Sequence, residues 1–180
     1  MLLKNLYGHF VTITKHRHLV MQHCFRVGLY KQGLLHDLSK YSPKEFISGV
    51  KYYQGYRSPN SAEREVVGYS DAWLHHKGRN KHHMEYWIDY PLDDSDGMIG
   101  MEMPVKYVVE MFCDRVAASK NYNKDKYTDQ DALQYYLKRR HHYIIHPKSE
   151  RLLRHLLVML AKYGEDKTFR YINTKVLRRR

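Results

Sequence analysis

Apolar positions along this chain recur at three- and four-residue steps, the spacing of one face of an α-helix. Leu3, Leu6, Phe10, Ile13, Val20, Cys24 and Val27 keep that rhythm through one long first helix, which Gly28 is placed to end. A short second segment covers 32–40. Ser42-Pro43-Lys44-Glu45 reads as a capping box with proline at the first helical position, opening a third helix that runs to about Tyr53. A turn over 55–60 leads to a fourth helix over 61–77. Residues 89–103, with Pro, Gly and clustered acids, read as a loop. Pro104 then starts a strongly patterned helix carrying Val105, Val108, Val109, Phe112 and Val116, and Thr128 is placed to cap another over 129–141. Pro147 precedes a last one, with Leu152, Leu153, Leu156, Leu157 and Leu160 on one face and Gly164 as its stop. Apolar and polar residues nowhere alternate long enough to predict a strand. The pattern predicts a single all-α domain of six or seven helices over 1–164, followed by a basic tail over 165–180 that docks through Phe169 and Ile172 or frays.

Composition sharpens this picture. At 180 residues, 43% apolar and 28% charged, the chain has the makeup of one globular domain rather than of a disordered or membrane protein. Its longest apolar run, 156–161, is far short of the ~20 residues that span a bilayer. Lys4, Asn5 and His9 interrupt the N-terminus before the apolar stretch of a signal peptide forms, so no membrane association is expected. Only two cysteines, Cys24 and Cys113, are present, which excludes a disulfide scaffold or a cysteine-rich zinc module and points to a reducing, cytoplasmic setting. The net charge is +12, unevenly spread: residues 85–114 carry eight acids against Lys106, leaving +19 for the rest of the chain. A basic body suits a polyanionic partner or a phosphorylated substrate, and serves equally as a solubility charge. The acidic loop 89–103 is either a lid beside a site or a plain surface connection.

The thirteen histidines carry the chemistry. His36 and Asp37 are adjacent; on a helix they point ~100° apart, so both can ligate one metal from a single turn. Imidazole with carboxylate suits a divalent transition metal (Mn, Zn, Fe, Ni or Co) rather than calcium. Partners for them lie on other helices. His9, His16 and His23 share one stripe of the first helix, with His16 one turn from both Ile13 and Val20, His9 and His23 read as structural, and His18 pointing to solvent. Asp114 lies within the most apolar helix, where a carboxylate is costly to bury unless paired or metal-bound. A salt bridge to Arg115 is its alternative, and Glu110, one turn earlier, is placed to orient it or a histidine. His75, His76, His82 and His83 crowd between Trp73 and Trp87. If that helix continues, His76, Asn80 and His83 share one face for ligation, while His75, Arg79 and His82 share the other for an anion. The alternative is a basic, solvated patch.

The order His16, His36-Asp37, Asp114 on separate helices resembles the HD-domain superfamily of metal-dependent phosphohydrolases. That resemblance implies one metal on His16, His36, Asp37 and Asp114, with Lys40, three residues after the doublet, contacting phosphate. It also implies a second ion in some members, held by histidines between the doublet and the last aspartate; His75, His76, His82 and His83 lie in that interval, and the face shared by His76 and His83 selects those two. KHRHLV, GLLHDLSKYSPKEF, AWLHHKGRNKHHMEYW and EMFCDR are similar, more narrowly, to an uncharacterised bacterial and phage family of HD-like proteins. The expected activity is hydrolysis of a nucleotide or other small phosphoester, with Lys40 and Arg79 on phosphate oxygens and Glu110 orienting a ligand. Two alternatives stand beside it. One is a basic nucleic-acid-binding protein with a structural metal, for which the Arg-rich tail and 17 tyrosines supply backbone and stacking contacts. The other is an oxygenase-type reaction on two irons.

Overall fold

Gly28 adopts φ +80°, a left-handed conformation open to glycine at no steric cost, and there the first helix ends. In the computed structural model, which describes residues 2–92 and 97–178, that helix is α1 (Leu2–Arg26). It is followed by α2 (Tyr30–Leu35), a 3-10 turn (Leu38–Tyr41), α3 (Pro43–Lys51), α4 (Pro59–Val67) and α5 (Asp71–Lys77). A two-stranded antiparallel hairpin, β1 (Ile88–Asp89) and β2 (Ile99–Gly100), separates these from α6 (Val105–Asn123), α7 (Asp131–Arg139) and α8 (Pro147–Tyr171). The fold is all-α, as the periodicity predicts, with eight helices among the described residues rather than six or seven.

The extra helix arises where one continuous helix is expected over 61–77. Gly68 takes φ +89° and breaks it, and Ser70 restarts it by accepting a hydrogen bond from the Trp73 N–H at 3.0 Å. Gly164 departs from expectation in the opposite sense. It is non-helical (φ 77°, ψ 174°), yet the chain resumes its helix at once and runs on to Tyr171. The reason is packing: Phe169 and Ile172 enter the core, with the Phe169 ring 5.8 Å from Phe112, and Arg26 pairs with Glu165 and Asp166 at 3.0 and 2.7 Å. Residues 165–176 are therefore docked on the body. The hairpin also departs from the strandless expectation. It pairs Ile88 with Gly100, and a Cβ at Gly100 would strike the backbone of Ile145 and His146, so only glycine allows that approach. The reading of 89–103 as a lid rests on Asp93 to Asp96, which lie outside the described residues. At α7 the expected roles are exchanged: Asp131 accepts from the Thr128 N–H and hydroxyl at 3.0 and 2.7 Å.

The core lies where α1, α6 and α8 meet, built from Val20, Cys24, Val109, Phe112, Val116, Leu153, Leu156 and Leu160. Among the described residues no helix is long and apolar enough to cross a membrane.

Two histidines of α1 serve this packing. His9 lies against Gly49 and the rings of Phe46 and Tyr53, while His23 lies against Phe169 with Nδ1 3.4 Å from the Cys113 carbonyl. Burial lowers the pKa of each to about 4. Because the folded pKa is depressed, their neutral forms are matched to the fold above pH 6.5, and stability is lost as pH falls from 6.5 toward 4, by at most ~3 kcal/mol for each, less for His9 after solvent screening. Denaturant unfolding at a series of pH values should show a shallower acid loss in His9→Phe than in the wild type; identical slopes would refute the assignment.

Candidate metal centre

The His36-Asp37 doublet lies in a break between α2 and the 3-10 turn, not on a helix as the sequence suggested. His36 is extended (φ −54°, ψ 127°) and Asp37 is left-handed (φ 53°, ψ 25°). Aspartate is among the few non-glycine residues that tolerate this conformation, and such strain persists only where surrounding structure fixes it. Arg17 of α1 supplies part of that fixing, donating from Nε to the His36 carbonyl at 3.2 Å and from Nη2 to the Leu34 carbonyl at 2.5 Å. The Lys40 N–H closes the turn on the Asp37 carbonyl at 3.0 Å.

This backbone drives the Asp37 carboxylate, 1% exposed, into the centre of the protein. Its two oxygens face different neighbours. Oδ2 lies 3.4 Å from His36 Nε2, 3.8 Å from His16 Nε2 and 2.6 Å from Lys40 Nζ. Oδ1 lies 3.3 Å from His76 Nε2 and 3.4 Å from His82 Nε2. Asp114 closes the first side, its Oδ1 2.9 Å from His16 Nε2 and 3.7 Å from His36 Nε2; Arg115 instead faces Tyr143. His83 closes the second, with Nε2 2.9 Å from His76 Nε2. Two groups of four result, His16/His36/Asp37/Asp114 and Asp37/His76/His82/His83, each with ligand atoms within 4.8 Å of one another. Either group could hold a metal ion.

The hydrogen bonding carries the same message. His16 Nε2, His36 Nε2, His82 Nε2 and both Asp37 oxygens are buried and meet hydrogen-bond geometry with no neighbour, despite their short separations. Buried polar atoms rarely go unsatisfied, and these five, divided between the two groups, are what a metal ion in either group could satisfy. The opposite edges of the rings are well held. Glu110 Oε1 accepts from His36 Nδ1 at 3.0 Å and lies 3.2 Å from His82 Nδ1. His36, His82 and Glu110 form a third compact group in which the carboxylate orients rings belonging to both of the others. Glu45 accepts from His75 Nδ1 at 2.6 Å and from His76 Nδ1 at 2.8 Å. Trp73 covers the second side, its ring stacked 5.7 Å from His76 and edge-on 4.8 Å from His83.

Charge agrees with geometry. Burial alone would raise the carboxyl pKa values of Asp37, Glu45, Glu110 and Asp114, but the surrounding imidazoles, with Lys40 beside Asp37, hold all four below the usual range. Burial would likewise lower His82, which the neighbouring carboxylates of Asp37 and Glu110 instead raise to about 10. These four carboxylates draw positive charge into the buried centre, as Lys40, as His36, His76 and His82, whose pKa values they raise, or as a bound cation.

Of the residues expected from sequence, His16, His36, Asp37, Asp114, His76 and His83 converge here, with Lys40 and Glu110 in contact with them. Arg79 does not join them: it is exposed and its Nη1 donates to the His75 carbonyl at 3.1 Å. The helical continuation past Lys77 is also corrected. The Arg79 and Asn80 N–H groups both turn back onto the His76 carbonyl, and the chain doubles over so that His82, expected on the opposite face, enters the site. Glu45 was read only as a helix cap, and nothing in its spacing marked it as a partner of His76.

Fold and site together define an all-α protein with a buried His/Asp/Glu centre able to bind metal. The chain belongs to the Family of unknown function (DUF5662), whose model matches residues 5–159. No curated protein and no solved structure matches it.

Proposed function

We propose that this protein is a metal-dependent phosphohydrolase of the HD type that holds two divalent transition-metal ions and acts on a small phosphoester such as a nucleotide. The observation carrying this reading is the placement of Asp37, whose two oxygens each address a separate set of imidazoles, so that one carboxylate serves both ligand groups. His16, His36, Asp37 and Asp114 would hold one ion, and Asp37, His76, His82 and His83 the other. Divalent ions held by these residues would supply Lewis acidity toward a phosphoryl oxygen and would lower the pKa of a water to ~7. The chain's own residues do the rest. Glu110 and Glu45 keep ring protons on Nδ1 and leave Nε2 free to ligate. Lys40 is partly open to solvent while its ammonium touches Asp37 Oδ2, so it reaches both ligand and incoming anion and offsets charge that grows on phosphate oxygens in the transition state. The basic exterior attracts the anion toward the site.

The test is metal analysis of the purified protein, followed by phosphate release from nucleotides and sugar phosphates with Mn, Co, Ni or Mg, with and without chelator. Two ions per chain and chelator-sensitive release are expected. Two ions without release from any phosphoester would overturn the hydrolase assignment, and dioxygen uptake by the iron-loaded protein would move it to oxygenase chemistry. Absence of bound metal would remove the reading altogether.

A further inference from the structure

Glu45 belongs to neither ligand group, yet it is tied to one of them. It occupies the third position of α3, where a capping-box glutamate reaches back to the cap residue. Its backbone N–H does meet the Ser42 hydroxyl at 3.5 Å, but its side chain turns inward and the residue is 6% exposed. Burying a carboxylate is expensive unless each oxygen finds a donor. Here Oε1 takes His75 Nδ1 and Oε2 takes His76 Nδ1, with the Ser39 hydroxyl as a further donor. The bond to His76 places a ring proton on Nδ1 and leaves Nε2, the nitrogen that faces Asp37 Oδ1 and His83 Nε2, as the atom able to ligate. Asn80 steadies the same strand of contacts, donating to Ser39 Oγ at 2.9 Å and to the His76 carbonyl at 2.8 Å.

Glu110 is arranged differently. Its Oε1 serves His36 of one group and His82 of the other, so it supports both sides of Asp37. Among the described residues, Glu45 bonds to imidazole at His75 and His76 and not at His16 or His36.

We infer that Glu45 is a positioning residue for one ion position alone, the one formed by Asp37, His76, His82 and His83, so that the two positions can be separated by mutation. This inference rests on the two-ion reading above. Removing the Glu45 charge frees the His76 ring to exchange its proton between nitrogens and to rotate, which weakens that position while His16, His36, Asp37 and Asp114 keep their own supports.

The experiment is titration of the metal-free protein with Co2+, followed by calorimetry and by visible absorption of the bound ion, for the wild type, Glu45→Gln and Glu110→Gln. The wild type should bind two equivalents. Glu45→Gln should keep one equivalent at unchanged affinity and spectrum and bind the other ~10–100-fold more weakly, the usual effect of losing a partner behind a ligating histidine. Glu110→Gln should weaken both. Glu45→Asp, which keeps the charge but cannot span both rings, provides the same selective loss if the glutamine variant fails to fold. A purely structural Glu45 would weaken both equivalents alike and lower the melting temperature of the metal-free protein, and that result overturns the inference. So does retention of both equivalents at full affinity. A wild type that binds a single ion refutes this assignment while leaving a one-ion hydrolase intact, and one that binds none refutes both.

Discussion

Asp37→Asn should abolish metal-dependent phosphate release and reduce the bound metal from two ions to less than one. Asp37 is the residue shared by both ligand groups, so losing its charge weakens two positions at once. The cost should exceed the ~10²–10³ in turnover typical of losing a single transition-state donor. Asparagine is the informative replacement because it tolerates the left-handed backbone that Asp37 adopts, at φ 53°. Alanine lacks that tolerance and adds ~1–2 kcal/mol of backbone strain, so Asp37→Ala confounds lost ligation with lost stability. Turnover, metal content and thermal melting measured together give the answer. Wild-type turnover in a folded Asp37→Asn protein would remove the metal centre from the reaction.

Lys40→Met is the second large effect, and its signature is different. The ammonium lies 2.6 Å from Asp37 Oδ2, and although burial opposes its charge, the carboxylates of Asp37 and Asp114 raise its pKa, so it is a fixed cation. Removing it should leave the metal content unchanged, because the imidazoles and carboxylates that would hold the two ions remain. Turnover should nevertheless fall ~10²–10³-fold, since a preorganised charge no longer meets the developing phosphate charge. Lys40→Arg, with its charge retained, should recover part of the rate. Unchanged turnover in Lys40→Met would place Lys40 among the ordinary basic side chains of a chain that has 31 of them. Loss of metal together with rate would make it a support of Asp37 rather than a phosphate contact.

Much of the fold was legible because its information is local. The three- and four-residue spacing of apolar side chains in α1, α6 and α8 is a property of each segment alone, and burying those stripes against one another leaves few arrangements. Gly28 and Pro43 act within a turn of where they stand. Gly164 was misread because a glycine favours a break locally, whereas Phe169 and Ile172 gain enough from the core to carry the helix beyond it. Gly68 was missed for the complementary reason: nothing distant rewards continuing through it, and Ser70 offers the chain a fresh start.

The centre divides along the same line. Residue type made His16, His36, Asp37 and Asp114 candidates, Asp114 because a carboxylate inside an apolar helix is costly to bury unless paired or metal-bound, and the resemblance to the HD order joined the four into one set. The three-residue step from Asp37 to Lys40 also held, although the intervening backbone is a 3-10 turn, in which positions three apart eclipse even more closely than on an α-helix. Which histidines of the second cluster take part was decided only by tertiary structure. His82 joins because the chain reverses at Gly78 to Asn80, and Glu45 joins because α3 packs beside α5 and brings a carboxylate to His76 across 31 positions of sequence. Spacing along one helix cannot encode either event, since both depend on where a second element comes to rest.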